Sequence, residues 1–527
     1  MNKKNLYLPL ITSLAVAVGI FLGMFLNYPQ NNSAISLFSG SPQEAKIKKL
    51  IDYIQYDYVD KVDTDSLLDG TIRQILGKLD PHSVYIPASE HEAIAEKMNG
   101  EFVGVGIQFR MYKDSLTVLN VIPGGPSDKA GILAGDRILF ADKDTLYGRK
   151  LNSDYIMKTL KGEPGTTVNV TVYRKSDKAL LPFTLKRNYI PIKSVVSDYM
   201  VNDSLGYIKI DQFSSTTYDE FKEALSGLLN QNMKHLVLDL RGNPGGYMGV
   251  ATKIADEFLE DNKLIVFTKN KGGKIDKTYA TSKGSFEKGT VYVLIDENSA
   301  SASEIVAGAL QDNDKGVIVG RRSFGKGLVQ QEMSLGDGSA VRLTISRYYT
   351  PTGRSIQKPY KGENGLNYNY DYEMRLFHGE LTNADSIKVN DSLKFVTPKG
   401  KVVYGGGGIV PDVFVGIDTT SFLNRAHYAA MNQFAFDYID THRNEFKGLN
   451  YDTFFNTFDQ DHKILNKYIE QIRDQYHVEV TKTDLVAYYL KALFARYLFD
   501  ENAFYRLINQ HDEMMNKIEE LEKERTN

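Results

Sequence analysis

His235-Leu236-Val237-Leu238-Asp239-Leu240-Arg241-Gly242-Asn243-Pro244-Gly245-Gly246 is the stretch on which the fold of this chain turns. Its first half is a short apolar run and its second half crowds glycine and proline together, so a buried strand ends in a turn built for close backbone approach. The same rhythm continues on both sides. Upstream, a strand at Tyr207 to Ile210 leads into helical spacing from about Thr217 to Leu229. Downstream come a helix from about Val250 to Leu259, strands at Leu264 to Thr268 and Val291 to Ile295, a helix from about Ser303 to Gln311, and a strand at Val317 to Val319. Strands alternating with helices predict an α/β core.

Farther out the pattern changes. From Gly100 to Asn188, short alternating segments (Val103 to Phe109, Leu116 to Val121, Arg137 to Ala141, Thr167 to Tyr173, Leu180 to Leu185) predict a compact, mostly β module. Helical spacing governs Ala45 to about Met98, interrupted at Asp80-Pro81 and Pro87. It returns after Thr420 in Ala426 to Tyr438, Ile464 to Ile472, Leu485 to Tyr497 and a charged tail from Met514 to Arg525. The expected order is a signal anchor (1–27), a linker (28–43), a helical region (44–99), the β module (100–188), the core (189–416) and a helical C-terminal domain (417–527).

The anchor rests on the uncharged run Leu6 to Leu26, which as a helix would rise about 31 Å and match a bilayer core. Lys3 and Lys4 precede it and the next charge is Glu44, so the positive-inside bias places the body across the cytoplasmic membrane, in the periplasm or extracytoplasmic space. The competing reading is a signal peptide cleaved near Ser33-Ala34, but the apolar run is longer than such segments have.

Composition narrows the function. The 527 residues carry 63 Lys plus Arg against 66 Asp plus Glu, a net charge of -3, which offers no field to hold nucleic acid. With no cysteine there is no disulfide, thiolate nucleophile, iron-sulfur cluster or Cys-bound zinc. No pair of histidines stands at metal-ligand spacing, and no cofactor is expected.

Two junctions carry chemistry. Asn298-Ser299-Ala300-Ser301-Ala302-Ser303-Glu304 lies where a strand gives way to a helix, a place that exposes a hydroxyl. Ser301-x-x-Glu304 also fits a capping box, and three alternate serines leave the nucleophile open. At Ser323-Phe324-Gly325-Lys326-Gly327-Leu328-Val329-Gln330 a lysine flanked by glycines can be approached and buried, which favours the neutral amine of a general base. Gln330, four residues on, can orient that amine. Gly320 to Lys326 imitates a phosphate-binding loop but has Gly327 where the hydroxyl should stand. Between Pro81 and Asp412 only His82, His235 and His378 lack obvious helical surface settings; His82 and His235 suit structural roles better than a Ser-His-Asp triad, and no G-x-S-x-G elbow occurs.

Several phrases in order resemble a known family. Gly104-Val105-Gly106-Ile107, Pro123-Gly124-Gly125-Pro126, Lys129-Ala130-Gly131-Ile132 and Gly135-Asp136-Arg137-Ile138 resemble a PDZ domain. With Leu79-Asp80-Pro81-His82-Ser83, the glycine turn at 241–246, the serine and lysine junctions, Tyr349-Thr350-Pro351-Thr352-Gly353-Arg354 and Gly405 to Asp412, they are similar to the carboxyl-terminal processing peptidases. The resemblance implies a crotonase-like α/β protease core, an inserted PDZ domain, and peptide hydrolysis by a Ser-Lys dyad. It implies Ser301 as nucleophile, Lys326 as base, Gln330 as its support, the N–H groups of Gly246 and Ala302 as oxyanion hole, and Gly104, Val105, Gly106 and Ile107 as the site for a peptide C-terminus. Partners expected are protein or peptide substrates with a free C-terminus and the membrane, with a homo-oligomer allowed by the helical C-terminal domain. Lys161 departs from the arginine many members carry, and Lys358 to Lys401 is a polar insertion. The alternatives are a membrane-tethered PDZ scaffold with an inactive core, and a Ser-Lys protease that cuts internal loops.

Overall fold

The computed structural model describes residues 13–16, 18, 41–112, 114–148, 151–360, 368–419, 423, 425–476 and 480–526. The chain divides into a unit of residues 1–72 and a unit of residues 73–527. The expected anchor and linker lie almost wholly outside the described residues, among which no helix is long and apolar enough to cross a membrane. In the first unit, helix Pro42–Tyr56 starts at a reciprocal capping box: Glu44 N–H donates to Ser41 Oγ at 3.2 Å and Ser41 N–H to the Glu44 carboxylate at 3.1 Å. None of its residues is buried.

The second unit holds the α/β core. Its main sheet runs in the order Val195–Met200, Leu205–Ile210, His235–Asp239, Thr290–Ile295, Gly316–Gly320, Val413–Phe414. The first pair is antiparallel and the others are parallel. Strands of such a sheet are covered on both faces, which is why His235 to Leu240 lacks a polar alternation. On one face Leu236, Leu238 and Val293 pack with Leu225, Ile254 and Val306 from helices Thr217–Leu229, Met248–Asp256 and Ala302–Asp312. On the other face Val237, Tyr292 and Leu294 meet Met514, Met515 and Ile518. The charged C-terminal tail is therefore an amphipathic helix, Glu513–Thr526, that seals the core with Met514, Met515 and Ile518, joined by the partly buried Leu521.

A second, antiparallel sheet places Ala340–Tyr349 between Val84–Ile86 and Leu264–Asn270, with Leu328–Ser334 also on Ala340–Tyr349 and Ile275–Tyr279 outermost. Strand Val84–Ile86 falls inside a region read as helical, because three residues are too few to display an alternation.

The β module forms an antiparallel sheet in the order Ile107–Tyr112, Ser115–Val121, Arg137–Ala141, Thr167–Arg174, Ala179–Lys186. The strand expected from Val103 to Phe109 is broken. Gly106 adopts a left-handed φ of 76°, so Glu101–Gly104 pairs instead with Asn188–Pro191 while Ile107 opens the edge strand. Helices Arg425–Thr441, Lys463–Tyr476, Thr483–Leu498 and Glu501–Ile508 share an aromatic core with Phe434, Phe454, Tyr468 and Phe494. Asp440 joins them to the β module, accepting from Arg137 at 2.7 Å and from Lys175 at 2.5 Å.

Candidate active site

Ser301 stands between strand Thr290–Ile295 and helix Ala302–Asp312, with φ 54° and ψ -110°, a conformation costly for a residue with a side chain. The surroundings hold it there. Glu304, fully buried one turn into the helix, accepts the Ser301 N–H at 2.9 Å. The neighbouring serines are spent on the interior: Ser299 Oγ donates to Leu240 O at 2.8 Å and Ser303 Oγ to Asn243 O at 2.9 Å, and both residues are 0% exposed. Among these three serines only Ser301 lines a cleft, of about 550 Å³. The alternation that sequence leaves open is separated by which hydroxyls face the core.

The glycine turn closes one side of the cleft. A Cβ on Gly245 would lie 2.8 Å from Ser301 Cβ, and one on Gly246 would lie 2.1 Å from Phe213 O, so the turn reaches this close only without side chains. Asn243 shapes it from beneath, donating to Ile210 O at 2.9 Å and accepting the Gly245 N–H at 2.8 Å. Among the described residues neither the Gly246 N–H nor the Ala302 N–H donates a hydrogen bond, which leaves two donors beside Ser301.

Lys326 lines the same cleft. Its flanking glycines are crowded, Gly325 against Gly408 and Lys358, and Gly327 against Gln357. Burial, aided by Arg342, lowers the Lys326 pKa against the opposing pull of Glu304 and Asp80. Its Nζ donates to Gln330 Oε1 at 2.8 Å, and Gln330 Nε2 donates to His82 O. The i to i+4 pairing read from sequence is thus formed. Ser301 and Lys326 both line this cleft, with no hydrogen bond between their side chains among the described residues and the Lys326 Nζ–H directed to Gln330.

Glu304 binds the two junctions into one object. Besides Ser301 N–H, its carboxylate accepts Ser323 Oγ at 2.6 Å, Gly325 N–H at 2.7 Å and Lys326 N–H at 2.8 Å. Burial raises its pKa, opposed by these hydrogen bonds. The Tyr348 hydroxyl adds a brace, 3.1 Å from Ser301 O and 2.8 Å from Lys326 O. Sequence pointed to Glu304 only as a cap, and its second role is invisible without knowing that residues 323–326 fold back over the helix start. Helix Ala88–Asn99 lies within the stretch read as helical, but its supply of Ile94 and Met98 to the cleft wall has no signal in a spacing that speaks of packing alone.

The other predicted residues lie elsewhere. Gly104, Val105, Gly106 and Ile107 stay together at the edge of the β module and line no part of the Ser301 cleft. Ser127 donates to Val105 O from its N–H at 3.0 Å and its hydroxyl at 2.7 Å, and Ile122 N–H donates to Gly106 O at 3.0 Å. His235 sits at the far end of its strand beside Arg525, 2.6 Å away. Lys161 pairs with Glu96. Among the described residues no group of His, Cys, Asp or Glu is arranged to hold a metal ion.

The model of peptidase family S41 matches residues 204–369, that of the PDZ domain residues 103–185, and that of the activating protease CtpB N-terminal domain residues 27–89. A family of unknown function matches residues 424–500. The chain is 35% identical over 317 residues to carboxy-terminal processing protease CtpB of Bacillus subtilis (strain 168), covering 59% of this chain and 65% of that relative. It is 35% identical over 319 residues to the carboxy-terminal-processing protease of Bartonella bacilliformis, with 60% and 73% covered. It is 32% identical over 361 residues to carboxy-terminal processing protease CtpA of Bacillus subtilis, with 68% and 76% covered. Among solved structures, the photosystem II D1 C-terminal processing protease is 26% identical, with 70% of this chain and 86% of that chain covered and a TM-score of 0.36.

Replacing Glu304 tests the junction without reference to chemistry. Glu304→Ala strands four donors in the interior and should cost at least about 2 kcal/mol in chemical denaturation, with Glu304→Gln milder because an amide oxygen still accepts. A loss under about 0.5 kcal/mol for the alanine variant would contradict the role given to this carboxylate.

Proposed function

Because the chain belongs to the carboxy-terminal processing proteases, we propose that it is a serine endopeptidase that cuts protein substrates near their C-terminus with a Ser301-Lys326 dyad. One observation carries this reading. Ser301 and a half-buried Lys326 line one cleft beside two N–H groups that donate to nothing else among the described residues. In this reading the core is crotonase-like.

The steps follow from the side chains. Neutral Lys326 Nζ takes the Ser301 proton as Oγ bonds to the scissile carbonyl carbon, and the carbonyl oxygen becomes an oxyanion held by the N–H groups of Gly246 and Ala302. The resulting ammonium returns its proton to the leaving amine as the C–N bond breaks, leaving an acyl-Ser301 ester. Water, deprotonated by Lys326, attacks the ester and frees Ser301. Gln330 accepts one N–H of the amine and so turns its lone pair toward the hydroxyl.

The β module, a PDZ domain, would capture the free carboxyl end at Gly104, Val105, Gly106 and Ile107. Support comes from the edge strand Ile107–Tyr112, one side of which takes no strand partner among the described residues and can accept a substrate strand. The N-terminal run Leu6 to Leu26 would anchor the chain in the cytoplasmic membrane with its body outside. Alkaline carbonate washing should therefore leave the protein in the membrane pellet, and release of a soluble form starting near Ala34 would mean cleavage instead.

Peptide cleavage followed by mass spectrometry tests the dyad. Ser301→Ala should be inactive, whereas Ser299→Ala and Ser303→Ala keep partial activity. Lys326→Arg should be as inactive as Lys326→Ala, because arginine does not deprotonate in a protein. Wild-type activity should rise with pH through a pKa below the ordinary lysine range, the direction burial gives Lys326. A working Lys326→Arg enzyme would remove the general base.

End recognition has its own test. Amidating an apolar peptide C-terminus removes a charge-assisted hydrogen bond of about 1.5–3 kcal/mol, so cleavage at low substrate should slow at least about tenfold. Equal rates for acid and amide would favour the internal-cutting protease.

A further inference from the structure

The phrase Leu79-Asp80-Pro81-His82-Ser83 has no part in the chemistry above, yet its main chain touches the support of the base. The His82 carbonyl accepts Gln330 Nε2–H, and Gln330 Oε1 accepts Lys326 Nζ–H at 2.8 Å. The His82 ring is turned elsewhere. Its Nε2 lies 2.6 Å from the Tyr368 hydroxyl, and burial together with Lys326 lowers its pKa to about 4, which makes it a weak base.

What holds the His82 carbonyl is Asp80, which is 8% exposed. Its carboxylate accepts the His82 N–H at 2.8 Å, the Ser83 N–H at 2.8 Å, the Ser83 hydroxyl at 2.6 Å and the Thr344 hydroxyl at 3.2 Å. Thr344 is the register partner of Gln330 between strands Leu328–Ser334 and Ala340–Tyr349, and the ladder shifts register between Val329 and Gln330. Val84–Ile86, directly after the turn, pairs with that same strand through Ala340, Val341 and Arg342. The turn and the glutamine thus hang on one strand.

The geometry matters because a glutamine amide has two different ends. With its NH₂ toward Lys326, Gln330 would donate into the lone pair that must take the serine proton, and would repel the ammonium that follows. A carbonyl at His82 can only accept. It draws the NH₂ to itself and leaves Oε1 for the amine. We propose that Asp80 is a positioning residue for Lys326, acting through the His82 carbonyl and the Gln330 amide to keep the lone pair of the base free. This inference rests on the dyad reading.

Asp80 also bears on the charge of the amine. Lys326 is faced by Asp80 and His82 from the turn, Glu304 from helix Ala302–Asp312 and Arg342 from strand Ala340–Tyr349; Asp80 and Glu304 favour the ammonium and Arg342 opposes it. Removing the Asp80 charge while keeping the side-chain shape therefore has two effects of opposite sense. Turnover falls because the amide is no longer held, and the acid limb of the pH profile moves to lower pH because an anion that favours the ammonium is gone. A merely structural role would not move that limb.

The experiment is a double-mutant cycle on the full-length protein with a peptide substrate, comparing wild type, Asp80→Asn, Gln330→Ala and the double variant, alongside Ser301→Ala and Lys326→Arg. Asp80→Asn and Gln330→Ala should each lower kcat at least about tenfold with KM less affected, and the double variant should be no slower than the worse single. The acid limb of kcat/KM should lie at lower pH in Asp80→Asn than in wild type. Circular dichroism and thermal midpoints check folding. If Asp80→Asn does not fold, Thr344→Val removes one hydrogen bond from Asp80 and should give a smaller loss of kcat that vanishes in the Gln330→Ala background. Multiplying losses, wild-type kcat in Gln330→Ala, or an acid limb unmoved or raised would overturn the proposal. With Ser301→Ala and Lys326→Arg inactive, such a result removes the Asp80 role alone. Full activity in either of those two removes the dyad reading first.

Discussion

The junctions that carry Ser301 and Lys326 both hang on the buried carboxylate of Glu304. Four donors from two separate stretches of chain converge on it, the Ser301 N–H on one side and Ser323 Oγ, Gly325 N–H and Lys326 N–H on the other. A carboxylate in the third position of helix Ala302–Asp312 also sits where the helix dipole favours negative charge. The hydroxyl and the amine lie on different strand-to-loop junctions, and their separation is set by this one acceptor. The strained backbone of Ser301 is sustainable because its amide is tied down in the same place.

The sheet explains why these junctions meet. Parallel strands His235–Asp239, Thr290–Ile295 and Gly316–Gly320 end at one edge, so the loops that follow them, carrying Gly246, Ser301 and Lys326, gather outside their carboxyl ends. Asp296 knits two of the loops, accepting the Gly242 N–H at 2.9 Å and the Asn298 N–H at 3.0 Å. Asp239 and Arg241 brace the turn from behind. Although burial pushes Asp239 upward, Arg241 and Lys209 outweigh it and hold the carboxyl far below its usual range. Helix Glu513–Thr526 finishes the layer by burying Met514, Met515 and Ile518 on the opposite face.

Much of this was legible. Continuous apolar strands, helices at 3.6-residue spacing and glycine at the turns announced the core, because burial on both faces and close approach leave marks in composition. The pairing of Lys326 with Gln330 could be read from a spacing of four. Three things could not. Ser299, Ser301 and Ser303 look alike until burial separates them. Glu304 is indistinguishable from a cap until residues 323–326 fold over it, a long-range event with no local signature. The split at Val105 and Gly106 turns on one φ angle, and a glycine in an alternating run does not announce which way it will bend.

The central claim is that the half-buried amine of Lys326 is the base for the hydroxyl of Ser301. Labelling with a phosphonyl fluoride, the modified residue located by peptide mass spectrometry and the rate followed against pH, tests it most directly. The account predicts a label on Ser301 whose rate rises through one ionisation below the ordinary lysine range. A label on Ser299 or Ser303, or a Ser301 rate indifferent to pH over that range, would contradict it.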